Sequence, residues 1–182
     1  DYTWLNTPPG WQDAPFAAMS HSTMSLAQGD IDNSGAVAIF STDMLPYSDD
    51  PETQAAWAPV MEEMMADPHP PGDPQIMANV LQSISGTHGS SRYANTAPAR
   101  GLEASGWSWS AKFGDLDQDG FLDLYIVNGF MESTIFAHLP DHELVEENQA
   151  RRNRGDGTFE DVSAAAGIRK AYGGALGVIA AD

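Results

Sequence analysis

The sequence predicts a mainly β chain, a partial β-propeller or related strand array, with helical and irregular insertions. Three observations predict it. Short apolar runs alternate with period two, as in Trp107-Ser-Trp109-Ser-Ala111-Lys-Phe113, which sends successive side chains to opposite faces of a strand. Acidic loops bearing a glycine separate pairs of such runs, from Asp30 to Ala38 and from Asp115 to Asp123. The pattern recurs along the chain, and a recurring unit of this kind buries its apolar face against its neighbours.

The 182 residues suffice for one domain or part of a larger one. Lys and Arg number 8 against 26 Asp and Glu, a formal charge of -18. That balance repels phosphate backbones and anionic lipid, which argues against nucleic-acid binding and direct membrane docking, and calls for bound cations instead. Without cysteine the chain has no disulfide, thiolate metal site or thiol nucleophile, and the redox compartment stays open. No apolar run approaches the ~18 residues of a spanning helix, so no transmembrane segment is expected. A first residue of Asp1 rather than Met suggests a processed or incomplete chain.

Residues 1–20 read as an irregular entry segment with a turn at Pro8-Pro9-Gly10, and Trp4, Trp11 and Phe16 are expected to cover an edge or core. A first unit follows at 21–45. Met24 and Leu26 alternate ahead of the loop Asp30-Ile-Asp32-Asn-Ser34-Gly35-Ala-Val-Ala38. This loop keeps carboxylates at its first and third positions but has Ser34 at the fifth and Ala38 at the ninth. Asp30, Asp32 and Ser34 therefore make a weak or lost cation site.

Residues 46–76 break the pattern. Asp50-Pro51 reads as an N-cap and first helical position. Trp57, Val60, Met61 and Met64 recur at helical spacing, as core in preference to a binding groove. Pro59 should kink or restart that helix, and the proline-loaded stretch Asp67 to Pro74 reads as a semi-rigid loop.

The second unit, 77–130, carries the loop on which the reading turns. Asp115, Asp117, Asp119 and Asp123 fall at positions 1, 3, 5 and 9, with Gly120 at the sixth, where a tight reversal demands positive φ. Two unit charges about 5 Å apart cost on the order of 3 kcal/mol at an effective dielectric of 20. A hard divalent ion removes that cost, and calcium fits better than magnesium, which keeps its waters. Position 12 is Ile126 rather than Glu, so this is not a helix-loop-helix calcium site. An ordinary acidic hairpin turn is the alternative.

A further helical insertion is expected at 131–147, with Glu143, Leu144 and Glu147 on a charged stretch. The third unit, 148–182, can be checked by subtraction: Tyr93 lies eight residues before Gly101, and Phe159 eight before Gly167. Leu176, Val178 and Ala180 then occupy strand slots, and Asp182 stands where the first ligand of a third loop would be. The unit reads as truncated at its loop.

Gly114-Asp-Leu-Asp-Gln-Asp-Gly-Phe-Leu-Asp-Leu-Tyr-Ile-Val-Asn resembles the FG-GAP, or VCBS, repeat of integrin α-subunit β-propellers and of many bacterial secreted proteins. Asn153-Arg-Gly-Asp-Gly-Thr-Phe-Glu-Asp-Val-Ser-Ala-Ala-Ala-Gly-Ile is similar, more narrowly, to the cartilage acidic protein (ASPIC/UnbV) group. The likeness covers roughly residues 20–45, 77–130 and 148–182. It implies FG-GAP-type blades and calcium held by Asp115, Asp117, Asp119, Asp123 and the main-chain carbonyl of Phe121. It also implies a role in adhesion, ligand binding or scaffolding outside the cytoplasm, in the periplasm or secreted.

Other constellations read more simply. Arg154-Gly155-Asp156 sits in a glycine-shaped turn, which outweighs an adhesive reading. His138 and His142 are four apart but flank Pro140 and have no third ligand. His21, His69 and His88 stand alone, and no nucleophile elbow or phosphate loop is present. The expectation is a non-enzymatic, calcium-binding module that serves as an accessory or scaffold subunit of a larger assembly, one that a membrane can anchor, with a protein partner. A metal-dependent hydrolase using the acidic loop, or a carbohydrate-binding module using exposed tryptophan, is the alternative.

Overall fold

A computed structural model describes residues 3–13, 16–66, 70–85, 92–131 and 144–168, and these are mainly β. The chain opens with a hairpin, β1 (Trp4–Thr7) and β2 (Gly10–Asp13), paired Trp4↔Asp13 through Thr7↔Gly10. Pro8-Pro9-Gly10 makes its turn, with Gly10 at φ 125 and the Thr7 hydroxyl donating to the Gly10 carbonyl at 2.6 Å. Residues 4–13 of the entry segment are thus a formed ribbon, not irregular. Its Trp4 and Trp11 are 53% and 71% exposed, so they do not cover a core here, whereas Phe16 packs edge-on against Tyr93 with ring centres 5.5 Å apart.

Strand β3 (Met19–Ser20) leads into β4 (Ser25–Gly29), β5 (Ala38–Thr42) and β6 (Met44–Leu45). Helix α1 (Pro51–Met64) follows, capped by Asp50, whose carboxylate accepts the N–H groups of Glu52 and Thr53 at 3.1 and 2.9 Å. The helix continues through Pro59 without the expected restart. Trp57 and Val60 are buried with Met44 and Trp107, and Met61 and Met64 pack on them, so the methionine face is core. Strand β7 (Gln75–Ile76) then pairs in parallel with β3. After it come β8 (Val80–Ser85), β9 (Arg92–Asn95), the single turn α2 (Ala97–Arg100), β10 (Gly106–Gly114) and β11 (Asp123–Asn128).

The expected insertion at 131–147 is strand at both described ends: β12 (Phe130–Met131) pairs with β13 (Leu144–Val145). His138, Pro140, His142 and Glu143 lie outside the described residues, as do His69, His88, Leu176, Val178, Ala180 and Asp182. Strands β14 (Gln149–Asn153) and β15 (Phe159–Asp161) end the described β structure.

The two larger sheets among the described residues are antiparallel, ordered β4-β5-β8-β9 and β15-β14-β11-β10-β6. Their registers repeat. Gly29↔Ala38 corresponds to Gly114↔Asp123, Phe40↔Leu81 to Tyr125↔Ala150, and Ile84↔Tyr93 to Asn153↔Phe159. The turn after each fourth strand repeats too. Leu102 N–H donates to Ala97 O and Gly101 N–H to Pro98 O, as Ile168 N–H does to Ser163 O and Gly167 N–H to Ala164 O.

One core joins the sheets. Ala27, Phe40 and Leu81 of the first meet Ala111, Leu124 and Ile126 of the second, with Ile31, Leu102 and Phe159 closing the edges. The faces that meet are not equivalent, because Leu26 and Ser41, not Ala27 and Phe40, correspond in register to Ala111 and Ile126. The first sheet's corresponding face therefore lies outside this contact. It carries Leu26, 61% exposed, beside a cleft of about 330 Å³ lined by Phe16, Met19, Ile39, Val80 and Gln82.

Strand β10 departs from the half-buried expectation: Trp107, Ser108, Ser110 and Ala111 are all buried. It runs between β11 and β6, and its register shifts between Ser108 and Ser110. Its far face is roofed at Trp107 by the inserted helix.

Candidate metal centre

The loop from Asp115 to Asp123 is closed by its own carboxylates. Asp115 accepts the N–H groups of Asp119 and Gly120, both at 3.0 Å, which wraps the chain around its side chain. That wrap requires positive φ at Gln118 (62°) and Gly120 (91°), and glycine makes the second free of strain. Asp119 Oδ1 accepts the Phe121 N–H at 2.9 Å. Asp123 lies at the start of β11, 2% exposed, with Oδ2 taking the Leu116 N–H and Oδ1 the Asn153 N–H, at 2.9 and 2.8 Å.

Of the expected ligands, Asp115, Asp117 and Asp123 come together, each offering an oxygen within 4.8 Å of the others. Asp119 is outside that trio. Phe121 sits with its ring against Gly155, where an added Cβ would be 3.2 Å from the ring. Burial pushes the Asp123 carboxyl above its ordinary value; the N–H groups of Asn153 and Leu116 oppose this, and the charges of Asp117 and Asp119 add to it.

The donor set is all carboxylate oxygen, which suits a hard divalent cation and not a thiolate- or imidazole-seeking one. Oxygens on opposite sides of a calcium-sized ion, each about 2.3–2.6 Å from it, lie roughly 4.6–5.2 Å apart. The trio's spread fits one such ion.

The first loop has the same backbone closure. Asp30 accepts Ser34 N–H at 3.0 Å and Gly35 N–H at 2.7 Å, and Asn33 (φ 55°) and Gly35 (φ 82°) repeat the conformations of Gln118 and Gly120. Those bonds, the one from Gly35 foremost, hold the Asp30 carboxyl below its ordinary value. Ser34 Oγ accepts the Ala36 N–H at 3.3 Å, much as Asp119 accepts that of Phe121. Asp32 faces Arg100, with 3.9 Å between their charged atoms. Among the described residues no second trio of potential ligands forms here, since Ala38 stands where Asp123 supplies the buried carboxylate.

Asn153 was not among the residues expected to matter. It is 1% exposed and touches both loops, donating from Nδ2 to Ile31 O at 2.7 Å and to Leu122 O at 3.1 Å. The signal available in the sequence was an asparagine directly before the glycine-rich turn Arg154-Gly155-Asp156-Gly157. The tripeptide within it is pinned. Arg154 pairs with Glu160 at 3.1 Å, and Asp156 accepts both the N–H and the hydroxyl of Thr158, which holds its carboxyl below the usual value.

Glu146, another buried acid, accepts the Trp57 indole N–H at 2.9 Å and the Trp107 backbone N–H. Burial pushes its carboxyl up to about 7, against the effect of those two bonds. No helix among the described residues is long and apolar enough to cross a membrane. Comparison with family models, curated proteins and solved structures finds no match to this chain.

Proposed function

We propose that the chain is a calcium-binding, non-catalytic module of FG-GAP type, part of a β-propeller, that acts outside the cytoplasm as a binding or scaffold subunit of a larger assembly. The observation that carries this reading is the trio Asp115, Asp117 and Asp123, gathered on a loop already closed by its own backbone bonds. Calcium there joins the two ends of the β10–β11 hairpin, so its contribution is to rigidity.

The propeller part rests on the sheets. Two four-stranded antiparallel sets repeat in register, each with an acidic loop between its first two strands, and they meet through non-equivalent faces. A contact of that kind propagates from unit to unit instead of closing on a pair. The face bearing Leu26 and Ile39 is where the next unit would sit.

Calorimetric titration with calcium tests the reading. Binding in the range of about 10⁻⁴ to 10⁻³ M, accompanied by a rise in melting temperature, is the expected result. A folded protein that shows neither heat nor a shifted melting point at about 10 mM calcium overturns it.

One observation favours a second reading, carbohydrate binding. Trp4 and Trp11 are exposed and, with Asn6 and Asp13, share one face of the β1–β2 ribbon, the arrangement in which rings stack on a sugar and polar side chains meet its hydroxyls. Trp57, at 1% exposure, is core and takes no part in it. Glycan-array binding lost in Trp11→Ala would support that function.

A further inference from the structure

We infer that the metal site is not confined to its own loop: Asn33 of the first loop and Asn153 of β14 are positioning residues that couple cation binding at Asp115, Asp117 and Asp123 to the contact between the two sheets. The inference rests on the cation-binding reading of that trio.

The peptide group between Gly120 and Phe121 is held from both sides. Its N–H is taken by Asp119 at 2.9 Å, within the loop, and its carbonyl accepts a hydrogen bond from Asn33 Nδ2 at 3.0 Å, from the neighbouring sheet's loop. The orientation of this peptide sets the direction in which the chain enters Phe121, the seventh position of the loop. A residue of the first sheet therefore helps to shape the second sheet's site although it gives no oxygen to an ion.

Asn153 does the same from below. Its backbone N–H donates to Asp123 Oδ1 at 2.8 Å, fixing the buried ligand. Its Nδ2 donates to Leu122 O in the metal loop and to Ile31 O in the first loop, and its Oδ1 accepts the N–H groups of Gly155 and Gly157 at 3.0 and 3.3 Å. One buried side chain thus uses both donor hydrogens and its acceptor to tie together two loops and a hairpin turn. At the equivalent register position of the first sheet stands Ile84, 41% exposed, whose side chain can make none of the side-chain bonds.

Partners that orient ligands without touching the metal commonly change affinity by about 10–100-fold. Coupling between binding and sheet contact is reciprocal, so an ion that favours the set loop also favours the docked first sheet.

The test measures calcium dissociation constants by calorimetry for the wild type, Asn33→Ala and Asn153→Ala, together with melting temperatures in EDTA. Asn33 is exposed, so Asn33→Ala is expected to keep the cation-free melting temperature while weakening calcium binding by about tenfold, the low end of that range, because Asn33 holds a peptide of the loop and not a ligand. Asn153→Ala is expected to weaken it about tenfold or more; if that variant fails to fold, Asn33→Ala decides. A purely structural role would lower the cation-free melting temperature and leave the dissociation constant alone. Wild-type binding with Asn33→Ala unchanged overturns this inference alone, whereas a wild type that takes no calcium overturns the cation-binding reading and this inference with it.

Discussion

Trp57 of the inserted helix donates its indole N–H to the buried carboxylate of Glu146 at 2.9 Å, bridging two insertions that lie 89 residues apart in the chain. The same carboxylate accepts the Trp107 backbone N–H, so it also fixes the start of β10. An added Cβ at Gly106 would lie 2.8 Å or less from its oxygens, and glycine is what allows the close approach.

The burial of this carboxyl, opposed by the two bonds, makes stability depend on pH. Burial raises the folded-state value of Glu146 from 4.5 to about 7, so the folded protein binds the proton more tightly than the unfolded chain does. The stabilisation is complete below pH 4.5 and is lost as pH rises through about 7, by on the order of 3 kcal/mol. Asp30, Asp50, Asp156 and Glu160 are shifted downward and act with the opposite sign, losing stabilisation as pH falls through the acid range. The Glu146 part is therefore read by difference. Melting curves in EDTA between pH 5 and 8 should show Glu146→Gln losing less stability with rising pH than the wild type.

Calcium should separate the two loops. If the dissociation constant lies ten- to a hundredfold below the calcium concentration, binding adds about 1.4–2.7 kcal/mol to stability. Asp117→Ala should abolish that increment. Asp32→Ala removes a distant, half-exposed pairing with Arg100, and should change the melting point by no more than about 0.5 kcal/mol allows, with or without calcium. Equal effects of the two substitutions would show that the loops had been ranked wrongly.

Gly101 and Gly167 occupy the same place in the two repeats, at φ 75° and 73°. Placing alanine at either costs about 1 kcal/mol for the left-handed backbone. At Gly101 the new Cβ would also stand 3.0 Å from the Phe159 carbonyl, whereas at Gly167 none of the described residues lies within 4 Å. Urea unfolding should find Gly101→Ala the more damaging, by about a further 1 kcal/mol. Equal losses would mean that a small backbone shift relieves the crowding at Gly101.

Pro59 lies inside α1 and supplies no N–H to the helix. Because the helix continues past it and is anchored by Trp57 and Val60, Pro59→Ala should stabilise the fold by about 1–3 kcal/mol. A shift of the urea midpoint to higher concentration, with an unchanged slope, would confirm this; a fall would mean the ring's packing outweighs the missing bond.

Much of the local structure was legible because short-range chemistry decides it. Asp50-Pro51 starts a helix wherever such a pair precedes good helix formers, and Asp115 wraps its own loop because its acceptor lies within reach of the N–H groups four and five residues on. The spacing of Asp115, Asp117 and Asp123 along one bend likewise depends on few residues. The internal repeat was visible as matched separations, and the matching turns at Gly101 and Gly167 follow from it.

What the tertiary structure decided involves partners distant in sequence. Alternation in β10 gave no warning that both faces would be covered, since that depends on where the inserted helix lands. The first loop keeps its closure without the acids at its fifth and ninth positions, because Asp30 and two glycine-compatible turns suffice for the backbone. The roles of Glu146 and Asn153 come from burial and from hydrogen bonds to residues 89 and 122 positions away. A polar side chain in a sequence carries no mark of which buried groups will leave it no other partner; only the packing of the two sheets assigns them.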